Sequence, residues 1–375
     1  FGYDARGRQT TVTHDADSST KSVVYNAAGL PEITMDEDGV SREFEYDSVY
    51  GRLSYKFDLD DNFIAYTYDS QGNLIEKAKH DASGSRFSRK RWDYQHPNYP
   101  GRLWKRINSD DSYTEYAYDD AGNIMSVKSP ENQTTFYDYD ALGRITSMDR
   151  PDNTSVGYGY DNHGNLISVT DGIGNRTTII YDDMGRLLVN SSPNTGVTTY
   201  TYDEQGNVIQ KTDAKGITVQ YSYDHLSRLN HVSYPDDSQN VSYTYDTGSY
   251  SNGRLSAITD ESGNTIYEYS NRGRLVGKVS TIDGVNYFLS RGFSPGGRLL
   301  EMVYPSGRRI DVTLDTNGRK QSVSTTLSEN TVLLVSNLEY QPFGRPRSLV
   351  TGAGGSVTTV SGDCECMETS NPGTP

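Results

Sequence analysis

The sequence predicts an all-β protein, an antiparallel meander of short tyrosine-aspartate repeats coiled into a spiral β-shell or tubular rod. Three observations carry this: a fixed cadence, a recurring turn signature, and runs between turns that are too short for helices. The cadence comes first. Tyr118, Tyr139, Tyr160, Tyr181, Tyr202 and Tyr223 each precede Asp and follow one another at 21 residues. Looser copies at Tyr3, Tyr25, Tyr46, Tyr68 and Tyr94, then Tyr245, Tyr269, Phe293, Leu314 and Tyr340, bring the series to sixteen units. A period in the twenties marks units that bury their apolar faces only against their neighbours.

The unit from Tyr139 reads YDALGRITSMDRPDNTSVGYGY and contains two short runs separated by two different turn signals. The first turn is Asp140-Ala141-Leu142-Gly143. An Asp at its first corner accepts a backbone N–H two residues on, and Gly at the fourth place takes the left-handed conformation. The same pairing recurs at Asp119 and Gly122, Asp161 and Gly164, Asp182 and Gly185, and Asp203 and Gly206. These ten residues are assigned a structural turn role. Variants run from Asp4 to Gly7, Asn26 to Gly29, Asp69 to Gly72, Ser270 to Gly273 and Asp315 to Gly318, while Ser227 replaces the glycine in one unit.

Arg or Asn follows the glycine, then Leu, Ile or Val, which starts the first strand. A second turn rich in Pro, Asp, Asn and Gly comes about five residues later, as at Pro130-Glu131-Asn132 and Asp213-Ala214-Lys215-Gly216. The second strand ends on aromatic residues two apart, such as Tyr137/Tyr139 and Tyr158/Tyr160, which puts both rings on one face. The first strand carries a conflict of parity: Leu166/Val169 and Ile145/Met148 are three apart. Either a bulge resets the phase or both faces are partly buried. No run is long enough for three helical turns, and Tyr, Thr and Val dominate.

Two strands per unit give about thirty-two strands, and open twisted sheets rarely exceed about ten without curling, so this one must coil. The repeats span residues 1–346 as one continuous body, and residues 347–375 form a Gly/Ser/Thr-rich tail. With 30 Tyr against 9 Phe and only 33% hydrophobic residues, the packing is amphipathic. A net charge of −15 argues against nucleic acid, which needs basic grooves. No apolar stretch is long enough to insert in a membrane as a helix.

The phrases YDSQGNLIEK from Tyr68, YDALGRITSM from Tyr139, YDDMGRLLVN from Tyr181 and YDEQGNVIQK from Tyr202 resemble the YD repeats of the RHS family, over roughly residues 3–346. The resemblance implies a β-sheet spiralling into a cocoon. In bacterial RHS toxins and the C subunits of insecticidal toxin complexes such a shell encloses a C-terminal toxin, and in teneurins a similar barrel serves adhesion. A non-enzymatic wall of a secreted or cell-surface, bacterial shell or fibre is the expected function, with a toxin-encapsulating cocoon as the alternative. Bacterial shells of this family usually end in a Tyr-Arg-Ala-Arg-Tyr-Tyr-Asp-Pro-like segment whose aspartates cleave off the cargo. Nothing similar follows Tyr340, so neither plug nor self-cleaving aspartates transfer to any residue here.

Other candidates favour structural readings. The Tyr-Asp aspartates occupy one turn position in every unit, as caps would and catalytic carboxylates would not. Six His at 14, 80, 96, 163, 225 and 231 share no ligand spacing and are expected on the surface or in loops. Asp58-Leu59-Asp60-Asp61-Asn62 resembles a calcium-loop opening, but Phe63 stands where Gly is needed. The basic run from Arg86 to Trp92 is expected as a solvated loop. No cofactor or metal is expected. Cys364 and Cys366 lie too close for a usual zinc pair and are expected either as an inter-chain disulfide link or as two idle thiols. The expected partners are further copies or further repeats, stacked end to end with the tail across the junction, and beyond these a polysaccharide or a protein cargo.

Overall fold

A computed structural model describes residues 1–15, 17–341, 343, 346–352, 356–358 and 368–369. Among these are 34 β-strands, and the one helical element is a single 3-10 turn at Asp237–Gln239. Strands of five to eight residues dominate, as β-branched and aromatic runs cut by a turn every ten residues require. The chain forms two compact units. Unit 1 comprises Phe1–Lys90, Thr247–Asn252 and Thr265–Pro375; unit 2 comprises Arg91–Asp246 and Gly253–Asn264.

In unit 1, β1 (Gly2–Tyr3) through β8 (Leu74–His80) pair consecutively and antiparallel. So do β26 (Leu275–Ile282) through β34 (Glu368–Thr369). In unit 2 the same meander runs from β10 (Lys105–Ile107) to β24 (Leu255–Asp260). Few side chains are wholly enclosed. Among the described residues the buried apolar ones are Val40, Ile64, Ala78, Val156 and Val232, which agrees with a half-wet, tyrosine-rich packing.

The parity conflict resolves as a bulge. Tyr158 pairs with Val169 and Gly159 with Ser168, but Tyr160 pairs with Leu166, leaving Ile167 as an extra residue. The same step leaves Thr146 between Ile145 and Ser147, Met125 between Ile124 and Ser126, and Ile209 between Val208 and Gln210. Because side chains alternate with period two, one inserted residue brings Leu166 and Val169 onto the face that carries Tyr158 and Tyr160.

The two turns of a unit differ less than their sequences suggest. In the first, the Asp140 N–H donates to Arg144 O at 3.0 Å and Gly143 N–H to Asp140 O at 3.0 Å; in the second, Arg150 N–H donates to Thr154 O at 2.8 Å and Asn153 N–H to Arg150 O at 3.1 Å. The backbone is one turn type used twice. Asn tolerates the left-handed position (φ 63° at Asn153) where the first turn uses Gly, so the composition changes while the geometry stays.

Two further expectations are corrected. The basic run belongs to β9 (Arg86–Asp93), a strand, in which Arg86 lies 3.8 Å from Glu76 and Arg91 pairs with Asp111; strand alternation separates its charges onto two faces. Two histidines depart from surface or loop positions, His80 in β8 and His231 in β22 (Leu229–Ser233), whereas His96 lies in a loop but is buried there. His96 sits among Tyr99, Trp104 and Tyr118, with Nδ1 accepting the Asn98 and Tyr99 N–H groups, and His231 is bonded to Ser242. His96 thus ties the loop at residues 94–103 to itself through two backbone N–H groups.

Candidate functional site

The residue set with the most regular chemistry is the row of first turns. At Asp140, one carboxylate oxygen accepts Leu142 N–H at 2.9 Å and Arg144 N–H at 3.0 Å, while the other accepts Arg144 Nε at 2.7 Å. Asp182 does the same with Met184 and Arg186. At Asp119, Asp161 and Asp203 the second oxygen instead accepts the side-chain amide of Asn123, Asn165 or Asn207 at 2.8–2.9 Å. Gly122, Gly143, Gly164, Gly185 and Gly206 all have φ between 75° and 92°. The structure therefore places the ten predicted turn residues in five equivalent capped turns.

These bonds set the electrostatics. The Arg144 guanidinium and backbone amide hold Asp140 below the ordinary carboxylate value, and at Asp119 the Asn123 amide does so against a partial desolvation. Asp47, whose carboxylate gathers the Tyr50 amide and then Arg52, is lowered to about 2. Such groups are ionised at neutral pH with both oxygens occupied, so they have no proton to donate and little basicity to offer.

Sequence reasoning did not find the connection between units. The Tyr160 hydroxyl donates to Ile145 O of the preceding unit at 2.9 Å, and the bond recurs from Tyr46 to Pro31, Tyr118 to Leu103, Tyr139 to Ile124, Tyr202 to Leu187 and Tyr223 to Val208. The ladder between β14 (Ile145–Asp149) and β15 (Ser155–Tyr160) begins only at Ser147 and Gly157, so Ile145 lies past its end. The tyrosine reaches the carbonyl there. Arg144 adds a second tie, with Nη1 donating to Asp161 O at 3.2 Å and its guanidinium 4.5 Å from the Tyr160 ring centre. The signal was present in the fixed Tyr-to-Leu spacing, whose meaning depends on the bulge.

A two-unit period also emerges. Arg144, Arg186 and Arg228 alternate with Asn123, Asn165 and Asn207, and the arginine turns carry exposed apolar tips at Leu142, Met184 and Leu226. Asp58 is a turn cap too, accepting the Asp60 and Asn62 amides and the Asn62 side chain. Among the described residues no group of three His, Cys, Asp or Glu is placed to hold a metal, and no helix is long and apolar enough to cross a membrane. Cys364 and Cys366 lie outside the described residues.

The comparisons agree with this geometry. The teneurin YD-shell family matches residues 131–250 and the RHS repeat family matches residues 250–285. No curated protein matches. A chain of the Photorhabdus luminescens Tc holotoxin pore is similar in fold, with a TM-score of 0.68 at 15% identity over 91% of this chain and 20% of that one. A chain of the TcdB2-TccC3 crystal structure aligns with 99% of this chain and 28% of its own length, at 14% identity and a TM-score of 0.46. This chain thus spans about a fifth of the length of the holotoxin chain it matches. The tyrosine-aspartate cadence, the capped turns and the two family matches show that residues 131–285 carry repeats of the RHS/YD type.

Proposed function

We propose that this chain is a wall segment of a YD-repeat shell or fibre, a non-enzymatic structural and interaction module of a secreted or cell-surface bacterial protein. The observation that carries the reading is the occupation of the Tyr-Asp carboxylates: each bonds to its own turn, and the turn is tied to the next by Tyr and Arg. On this reading Asp119, Gly122, Asp140, Gly143, Asp161, Gly164, Asp182, Gly185, Asp203 and Gly206 are structural. Residues 1–346 act as one repeat body and residues 347–375 as a tail.

The test is to compare Asp140→Asn and Asp182→Asn with the parent for melting temperature and for hydrolysis of a polysaccharide and peptide panel. Both variants are expected to melt lower, with no turnover by any of the three proteins. A reaction that disappears in a variant of unchanged melting temperature would sink the proposal.

A second reading, favoured by the fold shared with the Tc holotoxin chain, is that the wall belongs to a cocoon enclosing a toxin. Further repeats, a protein cargo or a polysaccharide are the partners these readings allow. Electron microscopy of the purified chain separates them: a hollow particle supports the cocoon, and an extended filament supports the fibre.

A further inference from the structure

First-turn arginines are held by their own corner aspartate, as Arg144 is by Asp140, Arg186 by Asp182 and Arg228 by Asp224. Among the described residues, two turns of unit 1 break the pattern: their corners are Ser270 and Ser294, so Arg274 and Arg298 meet no carboxylate in their own turn. Arg298 instead pairs with Asp38 and, at 2.7 Å, with Asp36, on a second turn some 260 residues earlier in the chain. Ser294 Oγ donates to Asp38 Oδ2 at 2.7 Å and Gly296 N–H to Asp38 Oδ1 at 2.7 Å. Gly296 stands where other units carry Leu142, Met184 or Leu226, and a Cβ there would overlap the Asp38 carboxylate.

Neighbouring turns repeat the contact. Arg272 pairs with Asp17 at 2.6 Å and bonds Ser19; Asn317 and Arg319 reach Asp60 at 2.6 and 3.0 Å. The sequence separations are 255, 260 and 259 residues. Asp17, Asp38 and Asp60 each precede a residue with left-handed backbone, namely Ser18, Gly39 and Asp61, so all three project from the same corner of their turns.

We infer that the serine corners convert self-latched first turns into receptor turns, and that Asp17, Asp38 and Asp60 with Arg272, Arg298 and Arg319 form an ionic clasp that can open while the repeats on either side stay folded. Serine keeps the turn, because Ser294 Oγ accepts Arg298 N–H at 3.0 Å as an aspartate oxygen would. It removes the charge that would otherwise reclaim the guanidinium and repel Asp38. Arg319 retains its corner Asp315 and is shared, 2.7 Å to Asp315 and 3.0 Å to Asp60. The clasp consists of charge-assisted bonds at turn tips, which salt screens, whereas the strands are held by backbone ladders that salt leaves intact.

Hydrogen exchange on the full chain tests this through the Gly296 amide. Ser294→Asp, although it restores the residue typical of the repeat, is expected to speed Gly296 exchange on the order of tenfold or more while amides in β14 are unchanged. The milder Asp38→Asn is expected to do the same, as is raising salt from about 0.05 M to about 1 M in the parent. Asn26→Asp makes the same restoration at a corner outside the clasp and should leave Gly296 protected. Parent-like protection of Gly296 in both Ser294→Asp and Asp38→Asn would overturn the clasp. Loss of strand and turn protection together would equally overturn it, since the contact would then not open separately.

Discussion

At Ser227 the repeat departs from its own rule, and the departure shows what the turn glycine is for. Ser227 is held at φ 58° and still donates its N–H to Asp224 O at 2.9 Å, so the turn survives with a side chain in left-handed backbone. That conformation costs an L-residue roughly 1–2 kcal/mol. Ser227→Gly is therefore expected to stabilise the protein by about 0.5–1 kcal/mol, after the loss of a weak bond to Asn207, and Gly143→Ala to destabilise it by about 1–2 kcal/mol. Urea unfolding reads both, and a destabilising Ser227→Gly would contradict the argument. Tyr160→Phe removes the hydroxyl bond to Ile145 O but keeps the ring over Arg144, so a loss of about 1 kcal/mol is expected from the same titration. A neutral result would mean that water replaces the hydroxyl without cost.

At the scale of the element, the hairpin is defined by its bulge as much as by its turn. Residue Ile167 is what allows Leu166 and Val169, three apart in sequence, to share the face of Tyr158 and Tyr160. Deleting Ile167 leaves Leu166 and Val169 two apart and still on one face of β16 (Leu166–Thr170), but it removes the bend and the added local twist that the bulge supplies beside the turn. The expected outcome is a melting temperature lower by several degrees, with exchange protection lost first around β15 and β16. Protection unchanged in both strands would show that the bulge is dispensable. The strands, the aromatic pairs and both turns were legible in the sequence. The bulge was legible only as a contradiction in parity, because periodicity reports which residues share a face but not where the chain inserts one.

For the whole molecule, stability should follow the carboxylates of the turns. Their folded values lie below the ordinary 3.8, reaching about 2 at Asp17, where the Ser19 amide acts before Arg272, and at Asp47. A carboxylate lowered by folding contributes fully above its unfolded value, and the contribution is lost as pH falls through the folded one. Melting temperature followed by circular dichroism is thus expected to hold from about pH 7 to about pH 5 and to fall between about pH 4 and about pH 2. A decline centred near pH 6 would instead implicate histidine. At the alkaline end, burial raises the hydroxyls of Tyr118, Tyr139, Tyr202 and Tyr223, so these donors stay protonated in the fold and their contribution is lost as pH rises above 10.0.

The sequence by itself determined the repeat, the all-β class, the antiparallel hairpins and the capped turns, because each depends on interactions within about five residues that recur unit after unit. Tertiary structure alone decided three things. Tyrosine hydroxyls reach a carbonyl 15 residues back, which requires the bulge and the register of the intervening strand. The loop at 94–103 packs around a buried His96, whose Nδ1 accepts two of the loop's own N–H groups. Ser294 and Gly296, which read in sequence as lapses from the repeat, make room for Asp38 from 256 to 258 residues away. Local chemistry sets the unit, whereas contacts between distant units depend on how many units lie between them and how each ladder shifts, and no short-range pattern encodes that sum.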